Sequence, residues 1–187
     1  MEYKVLTLWQ PWASFLVHGA KKIETRPKPT TWTVEKGIYL IHAASKWTKE
    51  QAEICIQEPF KSVLMNLGYL HKHEDENTGY KGYSFSFPIG SIIGSIEVTE
   101  CKRIHSDPLS FFYYQKGDLT ESEKTFANAV FRQKRIREPE LSYGDYQHGR
   151  YAWLTQNPRI LKTPIPYKGG QGYYVPFKGD VNDLQFL

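Results

Sequence analysis

Within six residues, Lys21, Glu24 and Arg26 bring two cations and a carboxylate together, in the run Leu16-Val17-His18-Gly19-Ala20-Lys21-Lys22-Ile23-Glu24-Thr25-Arg26. Such a set suits phosphate and base recognition. Lys21 and Arg26 can neutralise a phosphate, Arg26 can also stack on a base, and Glu24 can orient the cations or accept from an exocyclic amine. The elements that position these groups are legible around them. Pro11 to His18 is predicted as a helix, with Pro at its first position and Gly19 as a left-handed cap. A strand should follow, placing Lys22, Glu24 and Arg26 on one face and Ile23 and Thr25 on the other, with Lys21 at the turn. Neighbouring opposite charges also form ordinary solvated ion pairs, so spacing alone leaves both readings open.

The flanks add a pattern. Gln10-Pro11-Trp12-Ala13, then Gly19-x-Lys21-x-x-Glu24-x-Arg26, then Ile41-His42-Ala43-Ala44 resemble, in that order, the ASCH domain (activating signal cointegrator homology), a branch of the PUA-like β-barrels. Gly90 to Val98 resembles the family's long central strand. Tyr151-Ala152-Trp153, with Pro164-Ile165-Pro166 and Gly169-Gly170-Gln171-Gly172, resembles its closing segment. The resemblance covers most of the chain. It implies an α+β fold: a PUA-like small β-barrel of mixed strands flanked by helices, as a single domain over 1–187. Residues 106–149 carry none of the family's motifs and read as a partly helical insertion. The resemblance also implies a cleft between the first helix, the Lys/Glu/Arg strand and the strand end bearing His42.

Composition agrees with a soluble globular chain: 187 residues, 40% hydrophobic and 24% charged. No stretch reaches the ~20 apolar residues that span a membrane, and Met1-Glu2-Tyr3-Lys4 does not resemble a secretory signal, so a cytoplasmic location and no membrane partner are expected. Cys55 and Cys101 are predicted to be free thiols. A formal charge of +4 is too mild for a dedicated electrostatic nucleic-acid binder, whereas the 15% aromatic share offers stacking surfaces as well as core filling.

Strands are predicted at Lys4 to Leu8, Lys22 to Arg26, Ile38 to Ala43, Ser91 to Arg103, from Tyr151 to Trp153, and at Gly172 to Val175, the last closing the barrel. Gly90 and Gly94 mark a turn and a bulge. Thr48 and Gln51 form a capping box for a helix from about Lys49, and Phe60, Val63, Leu64 and Leu67 recur at helical spacing after Pro59. Thr120 and Glu123 form another box, predicting a helix from about Glu121 to Arg137. The basic end of that helix, Arg132, Lys134, Arg135 and Arg137, suits either phosphates or the helix dipole. His71 to Gly82 reads as a polar loop and Asp180 to Leu187 as a helical tail.

Other constellations carry less. His71 and His73 with Glu74 and Asp75 lack the enforced geometry of a metal site, and Cys101 with His105 is no zinc site. No metal and no cofactor are predicted. Lys168 to Gly172 is a tight turn in which Gln171 can contact a base edge. Trp9, Trp12 or Trp47 can stack on a base, Gln10 can donate and accept at one, and the imidazole of His42 can do either. With Lys22, Ser45 and Lys46 these residues make the predicted nucleic-acid-binding set.

Two functional classes follow. The first is an RNA- or nucleotide-binding module whose cationic cleft holds a single-stranded or modified nucleotide, as PUA-like barrels hold splayed bases. The second is a hydrolase using Lys21 and Glu24, because the resemblance extends to amidohydrolases acting on acetylated cytidine and to metal-dependent single-strand ribonucleases. A divalent metal enters only in the ribonuclease case. The amidohydrolase branch has Thr where this chain has Glu24, and a salt-bridged Lys stays protonated, which suits binding better than proton abstraction. A protein-docking role for Phe111-Phe112-Tyr113-Tyr114 also stays open. On an accessible cleft, Lys21→Ala and Arg26→Ala should leave the fold intact and abolish function.

Overall fold

The computed structural model describes residues 2–27, 36–74, 81–115, 119–125, 132–170, 176–179 and 184–187. In chain order the elements are β1 (Glu2–Leu8), α1 (Trp12–Val17), β2 (Ile23–Arg26), β3 (Gly37–Ala43), α2 (Lys49–Cys55), α3 (Phe60–Asn66), β4 (Leu70–Glu74), β5 (Lys81–Phe85), β6 (Ser91–Arg103), β7 (His105–Asp107), β8 (Ser110–Tyr114), β9 (Gln133–Arg135), β10 (Tyr151–Pro166) and β11 (Phe177–Lys178), with 3₁₀ turns at Glu121–Glu123 and Glu140–Tyr143. Strands dominate and helices are few, the α+β class predicted from the sequence. The chain divides into two compact units. Met1–Ala20, Ile38–Ile96 and Asn157–Leu187 make the first; Lys21–Gly37 and Glu97–Gln156 make the second.

In the first unit the strands pair in the order β11-β1-β3-β6-β10. β1 and β3 are parallel, from Lys4 opposite Tyr39 to Leu8 opposite Ala43. Residues 39–43 are all buried, as a strand covered on both faces requires. The core gathers Val5, Leu40, Ile92, Leu161 and Leu184. Helix α1 buries Ala13 through Val17, and Phe15 stacks on Phe60 of α3 at 5.5 Å. The Thr48 capping box is realised: Gln51 N–H donates to Thr48 Oγ1 and Thr48 N–H to Gln51 Oε1. Gly90 turns with φ +61°. Gly94 serves close approach, since a Cβ there would lie 2.2 Å from the Arg159 carbonyl oxygen and 2.8 Å from Val17 Cγ1. Gly94→Ala must displace backbone, so it is expected to cost roughly 1–3 kcal/mol in urea unfolding. An unchanged midpoint would show that β10 yields freely.

In the second unit β2 pairs antiparallel with the start of β10, Ile23 opposite Leu154 through Arg26 opposite Tyr151. A separate sheet has the order β7-β8-β9. The core is Ile23, Ile104, Ile136, Tyr146 and Ala152, so the stretch without family motifs supplies core residues here.

Several expectations change. The helix predicted from Glu121 to Arg137 is not continuous: the Thr120 box closes a 3₁₀ turn at Glu121–Glu123, residues 126–131 lie outside the described residues, Arg132 is helical, and Gln133–Arg135 pair with β8 as a strand. Residues 71–74 and 81–82 are not loop but part of the β4-β5 hairpin, with His71 opposite Ser84 and His73 opposite Gly82. Its exposed polar side chains on both faces gave no alternation to read. Residues 184–187 are not helical; Phe186 bridges to Leu161. The described strands pair in a linear order and do not close into a barrel. The strand predicted to close it, Gly172 to Val175, lies outside the described residues. Among those described, no helix is long and apolar enough to cross a membrane.

Candidate functional site

The Lys21 cluster belongs to the second unit. Because residues alternate along β2, Ile23 enters the core while Glu24 shares a register position with Trp153. Lys21 lies just before the strand and folds inward, leaving 1% of its side chain exposed. Its Nζ donates to the Ile23 carbonyl and pairs with Glu24 at 3.8 Å and Glu140 at 3.9 Å. The ammonium also lies 5.7 Å from the Tyr146 ring centre. Gly144 leaves room for it, since a Cβ there would sit 3.2 Å from Nζ. Glu24, with 9% of its side chain exposed, pairs also with Arg26 at 3.4 Å. The Arg26 guanidinium, 32% exposed, lies 5.8 Å from the Trp153 ring centre.

Glu140 organises this cluster. It accepts from the backbone N–H of Lys22 at 2.8 Å and of Ile23 at 3.1 Å, and from the Tyr146 hydroxyl at 2.7 Å. Two cations thus meet two carboxylates. Burial pushes the Lys21 pKa below the ordinary lysine value, against the pull of Glu24 and Glu140, with Arg26 adding a smaller push the same way. Tyr146 moves up, chiefly by burial and then by the Glu140 carboxylate.

Lys22 is exposed beside Lys21 in the second unit, and the first unit holds the other predicted residues. Trp9 is 44% exposed, and Lys46 Nζ stands 5.3 Å from its ring centre. Ser45 is exposed nearby in sequence. Gln10 is fully buried: its Nε2 donates to the Pro88 carbonyl at 2.9 Å, its Oε1 accepts from Ser14 N–H at 3.1 Å, and its backbone carbonyl accepts from Gln51 Nε2 at 2.8 Å. Trp12 is half-buried edge-on to Phe60, and Trp47 packs on Phe85 and Phe87. His42 is buried with Nδ1 3.1 Å from Thr7 Oγ1 and the Tyr167 ring edge-on, while Nε2 has no hydrogen bond of ordinary geometry among the described residues. A Cβ on Gly169 would come within 2.2 Å of Nδ1. Gln171 lies outside the described residues.

Burial lowers the pKa of His42, opposed by the Tyr167 backbone, and burial likewise lowers that of His18, which hydrogen-bonds Tyr69 at 2.9 Å. A depressed imidazole binds its proton less readily folded than unfolded, so this contribution to stability is intact above pH 6.5 and lost below it. The thermal midpoint should therefore fall between pH 7 and pH 5 by less in a His18→Gln/His42→Gln variant than in the native chain. An equal fall in both would place the titration elsewhere.

Sequence reasoning brought Lys21, Glu24 and Arg26 together correctly as neighbours but missed Glu140, Tyr146, Thr7 and Tyr167. Thr7 follows only from the parallel pairing that sets it opposite His42. Glu140 and Tyr146 lie in the stretch without motifs and carry no local signal. Among the described residues no group of three or more His, Cys, Asp or Glu is placed to hold a metal. His71 and His73 instead bond Ser86 and Ser84 across the hairpin. Cys55 and Cys101 are free thiols, with burial pushing Cys55 up to about 12. The Gly19 to Arg26 cluster, its supporting strands and the stretch that completes it all fall within residues 6–156, which the ASCH domain family model matches, and the chain belongs to the ASCH domain family.

Proposed function

We propose that this ASCH protein is an RNA- or nucleotide-binding module that holds a single-stranded or modified nucleotide. The observation that carries the reading is Trp9, an exposed indole with the Lys46 ammonium 5.3 Å from its ring centre. An exposed ring offers its face to any base, and a cation beside it meets the adjoining phosphate. Ser45 adds a hydroxyl on the same segment. In the second unit Lys22 and Arg26 supply accessible cations, while buried Lys21 and Glu24 hold Arg26 in place. Gln10 and His42 act from within the first unit, Gln10 by fixing the segment that bears Trp9 and Trp12. Gln171 stays a proposed base contact. The PUA-like barrel remains the proposed architecture, one domain with its insertion at 106–149, and the cytoplasm the proposed location.

A second reading has one observation in its favour. The lowered pKa of Lys21 is what a general base requires, with Glu24 to hold it, for removing the acyl group of acetylated cytidine or for cleaving single-stranded RNA with a divalent metal. A base must touch its substrate, however, and the Lys21 side chain is 1% exposed and engaged with three oxygens. Binding therefore comes first.

Titration of a fluorescein-labelled single-stranded RNA tests the proposal. Base stacking contributes about 1–3 kcal/mol per ring, so Trp9→Ala should weaken binding by roughly 5- to 150-fold. An unaltered affinity would remove Trp9 from the site.

A further inference from the structure

Of the cations at 132–137, Arg132 is helical, while Lys134 and Arg135 lie on a strand and Arg137 lies beyond it. Gln133–Arg135 form β9, the outer strand of the order β7-β8-β9, with Arg135 opposite Phe112, Lys134 opposite Tyr113 and Gln133 opposite Tyr114. A helix dipole acts within the last turn, so it can account for Arg132 but not for Arg135 and Arg137 on and beyond the strand. Arg132 pairs with Glu123 at 2.8 Å, whereas Lys134, Arg135 and Arg137 have no carboxylate within 4 Å among the described residues. Asp107 feels Arg135 but lies beyond ion-pair distance. Ile136, between them, is anchored in the core of the second unit, which fixes where the flanking cations emerge.

These cations surround a hollow of about 530 Å³ lined by Gln115, Gln133, Lys134, Arg135 and Arg137. Among the described residues its lining has three positive groups, two amides and no carboxylate, a chemistry that takes an anion. The register adds rings beside it. Gln133 and Arg135 share a face with Tyr114 and Phe112, and His105 packs against both rings at 5.0 and 5.8 Å. We infer that this hollow is a second contact surface for the phosphate backbone of a single-stranded nucleic acid, separate from the Lys21 cluster and from Trp9. The inference rests on the nucleic-acid reading above.

Charges on an outer strand also block edge-to-edge pairing. That purpose is served by either sign and needs no hollow. Phosphate binding needs positive charge and loses it measurably with salt.

The test is the salt dependence of binding of a labelled single-stranded RNA to the full chain between 50 and 200 mM salt. The comparison is native protein against the triple variant Lys134→Gln/Arg135→Gln/Arg137→Gln, whose side chains are exposed and leave the core untouched. Each phosphate contact on a single strand contributes about 0.7 to the slope, so the variant's log–log slope should be shallower by about 2 and its affinity deficit about 16-fold larger at 50 mM than at 200 mM. Native binding with an unchanged slope and affinity in the variant would overturn the hollow and leave the proposed function standing. Aggregation of the variant with an unchanged slope would assign the cations to edge protection and equally overturn it. No binding by the native protein would overturn the proposed function, and this inference with it.

Discussion

Glu140→Ala is expected to lower the unfolding free energy by about 3–5 kcal/mol, because it breaks a buried ion pair and strands its donors at once. Glu140 accepts from the N–H groups of Lys22 and Ile23 and from the Tyr146 hydroxyl, and faces Lys21 Nζ at 3.9 Å. Removing it leaves those donors without that acceptor and the Lys21 ammonium with one carboxylate fewer. Glu140→Gln keeps an acceptor oxygen but not the charge, so it should lose less. Urea unfolding of the three proteins orders them. If Glu140→Ala unfolds like the native chain, the cluster is solvated and the account of it is wrong.

Lys21→Ala should be comparably severe, in contrast with the intact fold that an accessible cleft predicts. The substitution empties the space under Gly144 and Tyr146 and leaves Glu24 and Glu140 facing each other without the cation that separates them. Loss of one partner from a buried pair costs about 3–5 kcal/mol. Lys21→Met fills the space without the charge, and adding Glu24→Gln should recover part of the loss by relieving one buried carboxylate. Arg26→Ala, on a half-exposed side chain, should leave stability nearly unchanged and lower RNA affinity. Recovery of full stability in Lys21→Ala would mean that the ammonium contributes nothing to the fold.

What the sequence made legible were features with local causes. The Thr48 box predicted α2 because its reciprocal bonds close within four residues, and β3 was readable because it is buried on both faces. The charged cluster was legible because Lys21, Glu24 and Arg26 adjoin in sequence. What stayed hidden depends on distant pairing. The 133–135 strand exists because β8 pairs with it, and its local cap and charges point to a helix instead. Hairpin β4-β5 has no buried face along most of β4 to reveal a period of two. Lys21 reads as a turn cation because nothing near it announces Glu140, more than a hundred residues on, whose carboxylate draws it inward. Gln10 reads as a base contact for the same reason: its partners, Pro88 and Gln51, come from far along the chain.

Binding without turnover is tested by a titration of the purified protein with labelled single-stranded RNA, followed by chromatography of the recovered RNA, with acetylated cytidine run in parallel. A binding module gives saturable binding that Trp9→Ala weakens, RNA recovered at full length and acetylated cytidine unchanged. Absence of saturable binding would contradict that reading. So would shortened RNA or released cytidine that disappears in Lys21→Met, and that result would make Lys21 a catalytic residue.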